Sequence, residues 1–157
     1  MQTIFRLLIV SLAAAALIVP SIAISSQLPI GKVKTAKGEV LVVHDGQESP
    51  MAVGDKFYQN DIIKTGKESS VGVILEDNTV LSLGSQSEIA IDEYVFSPEK
   101  GKLSMIASMI KGTASYLSGI IGRQSPESVK INTPDATIGI RGTKFLVKVD
   151  GTNKVKK

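Results

Sequence analysis

The sequence predicts an all-β body of many short strands, a twisted β-solenoid-like or sandwich-like single domain behind one helical N-terminal segment. Three observations predict it. Beyond residue 23 a glycine or another turn former recurs every few residues, and the runs between are short and β-branched. No long capped helical period appears in that region, which argues against an α/β fold. All 14 glycines lie beyond residue 23, where they serve as turn and bend positions.

The first 23 residues are of another kind. Arg6 and the free amine are the only positive charges before a block of 13 residues, LLIVSLAAAALIV, that carries no charge. Pro20 and the small-residue exit Ser21-Ile22-Ala23 follow. A charged start, an apolar run of about 7–15 residues and a small-x-small exit describe a secretory signal peptide. A membrane-spanning helix needs about 20 apolar residues, more than this run supplies. Residues 1–23 are therefore expected to be a signal peptide, with an uncleaved inner-membrane anchor as the alternative. Both place the rest of the chain in the periplasm or outside the cell. Residues 24–30 are expected to be a linker, residues 31–149 the all-β domain and residues 150–157 a basic tail.

Within the domain the strands follow in order. Residues 31–35 lead through Ala36-Lys37-Gly38 into residues 39–43, a hairpin signal with glycine in the turn. His44-Asp45-Gly46 turns next, then Gly54-Asp55, then an apolar run that ends at Thr65-Gly66. Residues 71–75 and 79–83 flank Glu76-Asp77-Asn78, a tight turn whose residues tolerate positive φ. Residues 89–91 form a short strand, and Val95-Phe96 adds another before the loop at residues 97–101. Residues 103–110 fit both a period of two and a helical face; the following Gly112 and Thr113 to Leu117 favour a strand. Residues 129–131 run to Asn132-Thr133-Pro134-Asp135. Residues 136–149 close the domain as a strand in which Phe145, Val147 and Val149 share a face. The total is ten to twelve strands.

Composition removes several chemistries. Without cysteine there is no disulfide, no cysteine-held zinc or iron–sulfur cluster, no thiol nucleophile and no lipidated cysteine. The formal charge of +3 reflects Arg6 and the lysines of the tail, Lys154, Lys156 and Lys157; the body between is close to neutral. His44, the single histidine, sits beside Asp45 in a turn with no nucleophile element near it, and reads as an exposed turn residue. Glu76-Asp77 and Asp92-Glu93 lack the spacing of a hard-cation loop and read as solvated strand ends. Gly139-Ile140-Arg141-Gly142-Thr143-Lys144 lacks phosphate-loop spacing and lies in a strand pattern, not between helices. A basic sheet studded with aromatics is also missing, so nucleic acid is not an expected partner. No catalytic group, metal site or cofactor is expected.

Several segments then occur in a telling order: Gly54-Asp55, Ile62 to Gly66 with Thr65-Gly66 at its end, the 69–75 run, Asp77-Asn78-Thr79-Val80-Leu81, the 103–112 run, and TPDATIGIRGTKF. Together they resemble the FecR domain, named for the periplasmic part of the iron-dicitrate sensor regulator. The family pattern is similar to G-D-x-I-x-T-G, a D-G-S-x-L turn, a K-G turn and T-P-x-A-x-x-x-x-R-G-T-x-F, and the last element matches here without a gap. Asn78 stands where the family usually has glycine. The resemblance spans about residues 31–149 and implies a twisted β-solenoid without enzymatic activity that works by binding. In the sensor regulators a cytoplasmic segment controls a sigma factor and a further module receives the receptor signal; neither is expected in this chain. What transfers is a protein-binding or signal-relay role in the cell envelope, with a structural role on cell-wall polymer or by self-association as the alternative. The expected partner is an envelope or membrane protein.

The motif positions to follow are therefore Gly54, Asp55, Thr65, Gly66, Thr133, Pro134, Gly139, Arg141, Gly142, Thr143 and Phe145. Elementary chemistry gives them structural roles first and a partner surface second. Pro134 suits a bend. Gly139 and Gly142 allow close backbone approach or a bulge. Arg141 offers a planar fork to loop carbonyls or a carboxylate. Thr143 can close a local hydrogen bond, and Phe145 is expected in the core.

Overall fold

The computed structural model describes residues 27–142 and 144–150. The expected signal peptide and nearly all of the expected tail lie outside them. Twelve strands follow in order: β1 (Gly31–Lys37), β2 (Val40–His44), β3 (Gln47–Pro50), β4 (Lys56–Phe57), β5 (Ile62–Thr65), β6 (Ser70–Leu75), β7 (Val80–Leu83), β8 (Glu88–Ser97), β9 (Lys102–Leu117), β10 (Val129–Asn132), β11 (Thr137–Gly139) and β12 (Lys144–Val149). One short helix, α1 (Ile120–Gln124), separates β9 from β10. The all-β expectation holds, and residues 103–110 are strand.

The strands form one curled sheet, a half-barrel, in the order β3-β2-β5-β8-β9-β7-β6-β1-β4. Strand β9 is its spine. Its first part pairs with β8 and, in parallel, with β10; its second part pairs antiparallel with β7 and β12. The change of partners falls near Gly112, whose φ is +88°. A side chain there would also collide with Ser87, since a Cβ would lie 2.5 Å from the Ser87 Cα. The sheet thereby curls over a single core. Alternation dictates what fills it: Val71, Val73 and Leu75 of β6, Leu81 and Leu83 of β7, and Met105, Ala107 and Met109 of β9 are all buried.

Sequence expectation and structure part at several places, among them β3, where no strand was expected. Residues 31–43 are not a hairpin: β1 pairs with β4 and β6, whereas β2 pairs with β3 and β5. Gly38 does turn the chain, at φ +72°, but carries it from one half of the sheet to the other. Val95-Phe96 is the end of β8, which runs through an irregularity between Ile91 and Glu93. Residues 136–149 split into β11 and β12, because Ile140 turns inward, is buried, and donates its N–H to the Val129 carbonyl at 3.3 Å.

The turns share a construction. Strands β4 to β8 each begin two residues after a position with positive φ: Gly54, Asn60, Glu68, Asn78 and Gln86. Between that position and the strand stands a small polar residue: Asp55, Asp61, Ser69, Thr79 or Ser87. The last four are buried, at 3%, 3%, 0% and 0% exposure. Buried polar atoms need partners, and these have them. Asp61 accepts the Tyr58 N–H at 2.7 Å, Ser69 accepts the Glu39 N–H at 2.9 Å, and Ser87 donates to the Thr113 carbonyl at 3.1 Å. Four of the five turns are thus pegged to the core by one side chain; Asp55 is exposed.

Candidate functional site

The polar interior converges on Asp77. Its Oδ1 accepts the Thr79 N–H (3.1 Å) and the Tyr94 hydroxyl (3.2 Å). Its Oδ2 accepts the Thr79 hydroxyl (2.8 Å) and the Ile121 N–H (3.0 Å). Its main-chain carbonyl accepts the Ile120 N–H at 2.7 Å. A carboxylate 44 residues upstream therefore holds the first turn of α1, where free N–H groups seek an acceptor. Asp77 is fully buried, which corrects the solvated strand end read from the sequence. Burial, followed by the Asp77 charge, raises the Tyr94 pKa far above its ordinary value, so the phenol stays neutral and keeps its proton for Asp77. Tyr116 is raised as well, chiefly by burial. Asp92 is not a strand end either. It lies inside β8 at the irregularity, where it accepts the Ser108 hydroxyl at 2.6 Å.

His44 is tied as well as exposed. Its Nδ1 lies 2.5 Å from Oδ1 of buried Asp61, and its ring stands 5.3 Å from that of Tyr58. The hydrogen bond to Asp61 and that carboxylate's charge raise the His44 pKa. A carboxylate-oriented imidazole is one half of a catalytic pair, but among the described residues no nucleophile hydrogen-bonds to this ring. No group of three metal-binding side chains converges among them.

The early motif positions lie at turns and at the end of β5. Asp55 accepts the Ala52 N–H at 2.7 Å, and the Gly54 N–H donates to the Val33 carbonyl. Thr65 donates its hydroxyl to the Gly84 carbonyl at 2.6 Å and accepts the Ser87 N–H at 2.9 Å. Gly66 packs on Glu39, where a Cβ would lie 2.5 Å from Oε2.

The later motif positions gather elsewhere, around a groove of about 290 Å³ between β11 and β12. Thr133 and Pro134 form the turn that leads into β11, closed by the Thr133 hydroxyl and the main chain of Ala136 at 3.0 Å. Ile138, Ile140, Phe145 and Val147 give the groove apolar walls, and Gly139, Arg141 and Gly142 line it. Phe145 is half-buried, with its ring 5.0 Å from that of Tyr116, because its outer side forms this wall. Arg141 is exposed and makes no side-chain hydrogen bond among the described residues, contrary to the fork expected from sequence. A Cβ on Gly139 or Gly142 would meet open space, so neither marks a close approach. The Gly142 carbonyl accepts the Ser118 hydroxyl at 2.8 Å. Thr143 lies outside the described residues. Among these, β11 pairs only with β10 and β12 only with β9, so each strand has an unpaired edge.

Sequence reasoning missed the Asp77 hub, the His44–Asp61 pair and α1. A small polar residue immediately ahead of an apolar run was the available signal for Asp61, and one three positions ahead of Val80 for Asp77.

A family model described as FecR protein matches residues 61–156. No curated protein and no solved structure matches the chain.

Proposed function

The chain belongs to the FecR family, and on that premise we propose that it is an exported, non-enzymatic binding module that relays a signal within the cell envelope. The family membership supports a signalling-related, regulatory role and an envelope setting. The observation that carries the finer reading is the groove between β11 and β12. Residues of the motif TPDATIGIRGTKF line it, two strand edges are unpaired among the described residues, and an exposed guanidinium stands at its rim. An extended segment of a partner adds to such an edge through main-chain hydrogen bonds, while apolar pockets select its side chains. Arg141 offers bidentate recognition of a carboxylate on that segment.

Capture of an envelope or membrane protein by wild type and by Arg141→Ala tests this. The expected result is loss of one specific partner while the melting temperature moves by less than about 2 °C, as for an exposed side chain with no side-chain hydrogen bond among the described residues. Equal capture by both proteins would remove the groove from the account. Residues 1–23 act in this reading as the export signal, which a shift in mass on secretion checks.

A second reading draws on the same unpaired edges and on Leu146, exposed at 73%. Edge-to-edge self-association, or attachment to cell-wall polymer, would make the protein a structural element of the envelope. A monomeric mass in solution together with failure to sediment with purified sacculi would rule it out.

A further inference from the structure

The two outer faces of the curled sheet carry charge differently. On the half formed by β4, β1, β6, β7, β9 and β12, the register places three rows of side chains outward. The first row is Lys56, Lys32, Ile74, Val80, Leu117 and Lys144. The second is Thr35, Gly72, Ser82, Ser115 and Leu146. The third includes Lys37, Ser70, Thr113 and Lys148. No acid stands in any row. Glu76 and Asp150, the latter bonded to Lys148, follow the ends of β6 and β12. On the opposite face Lys64 and Lys111 are neutralised by Glu48 and Glu88 at 3.1 and 2.9 Å.

The lysine face spans six strands, roughly 24 Å. Lysines stand at both margins, small hydroxyl residues and glycine keep its middle low, and two leucines protrude, Leu117 at 46% and Leu146 at 73% exposure. Lysines alone would suit any polyanion. Protruding leucines between them would gain nothing from a hydrated anionic polymer, but would gain from the boundary between lipid headgroups and acyl chains.

We propose that this face docks on an anionic lipid bilayer, with Lys32, Lys37, Lys56 and Lys144 over the headgroups and Leu117 and Leu146 at the acyl boundary. The docked sheet leaves its opposite face, with Ile110, turned to water. The face shares Lys144 and Leu146 with the rim of the β11–β12 groove, but it is argued from the charge of its rows and stands without the groove reading.

The absence of native cysteine makes the test direct. Leu146→Cys and Ile110→Cys are each labelled with an environment-sensitive fluorophore on the full-length chain, so that any affinity of residues 1–23 for lipid is common to both. Vesicles of phosphatidylglycerol with phosphatidylethanolamine should blue-shift the probe at position 146 and leave that at 110 unchanged. The shift should fade at high salt and be absent on phosphatidylcholine vesicles. Lys32→Glu/Lys37→Glu/Lys144→Glu should abolish it; neutralising one lysine, as in Lys144→Gln, should weaken it roughly fivefold. All three positions are exposed, and the single variant serves if the triple one misfolds. Equal shifts at both positions, an equal shift on neutral vesicles, or an unaltered shift in the charge-reversed chain would each overturn the proposal. So would soluble polyphosphate binding the face with vesicles giving no shift, which would assign it to a free polyanion.

Discussion

Strands β4 to β8 and strands β10 to β12 are cut from the same short β-branched runs, yet they are held in different ways. In the first region each strand follows a positive-φ turn whose small polar neighbour, in four cases of five, is sunk into the core and bonded to a distant main-chain or side-chain group. In the second, apart from the Ser118 hydroxyl on the Gly142 carbonyl, the side-chain hydrogen bonds among the described residues are local and exposed: Thr133 to Ala136, and Thr137 to Asn132 at 2.9 Å. Strand edges, Arg141 and the groove lie at the surface there. Polar capacity is consumed inside the first region and left available in the second. A rigid scaffold that presents an open edge is what a binding module requires.

The largest effect that would break this comparison is at Asp77. Asp77→Ala removes the acceptor of the buried Thr79 and Ile121 N–H groups and of two hydroxyls. Each stranded buried donor costs about 1–3 kcal/mol, so a loss of about 3 kcal/mol or more is expected, read as a melting temperature lower by roughly 10 °C. Thr133→Ala, which removes an exposed local bond of the second region, should cost under about 1 kcal/mol. If the two variants melt together, the regions are not held differently.

Next in size is Gly119, which precedes α1. A Cβ there would lie 2.3 Å from the Thr79 nitrogen and 2.4 Å from the Asp77 carbonyl oxygen, both main-chain atoms that cannot swing aside. Gly119→Ala should cost about 2–3 kcal/mol by overpacking. Gly139→Ala, with open space beside it, should be close to neutral. Urea unfolding of the pair measures the contrast, and equal midpoints would refute it.

How much of this was readable in the sequence follows from the range of each cause. Strands announce themselves by alternation over a few residues, so nearly all were found, including the spine at residues 103–110. The turn at Gly54-Asp55 is visible because glycine signals positive φ, whereas Glu68 and Gln86 adopt it with no such signal. Asp77 beside Glu76 reads as a pair of solvated acids, since its partners at Tyr94 and Ile121 are 17 and 44 residues away. Strand partners fail for the same reason. Gly38 marks a turn correctly, but nothing local tells whether the chain returns beside itself or crosses to the other half of the sheet. In the groove, the motif TPDATIGIRGTKF is plain in the sequence. That its residues face an unpaired edge depends on Ile140 turning inward beneath Val129.

The smallest effect lies where a peg of the first region meets the surface. Asp61 is buried, and His44, half-exposed at the end of β2, closes over it. The hydrogen bond and charge of Asp61, with a lesser contribution from Asp45, raise the folded-state pKa of His44 above its ordinary value near 6.5. A raised folded pKa means that the folded chain binds the proton more tightly than the unfolded one. The added stability is therefore fully present below about pH 6.5 and is lost as pH rises through the higher folded value. Comparing wild type with His44→Gln, the melting-temperature gap should be widest near pH 5.5 and narrow steadily toward pH 8.5. Asp61→Asn in the same background should leave a histidine that no longer produces that slope. A gap independent of pH would show that Asp61 holds the β2 end through a neutral hydrogen bond alone. The pegs would then act by geometry, with no part played by charge.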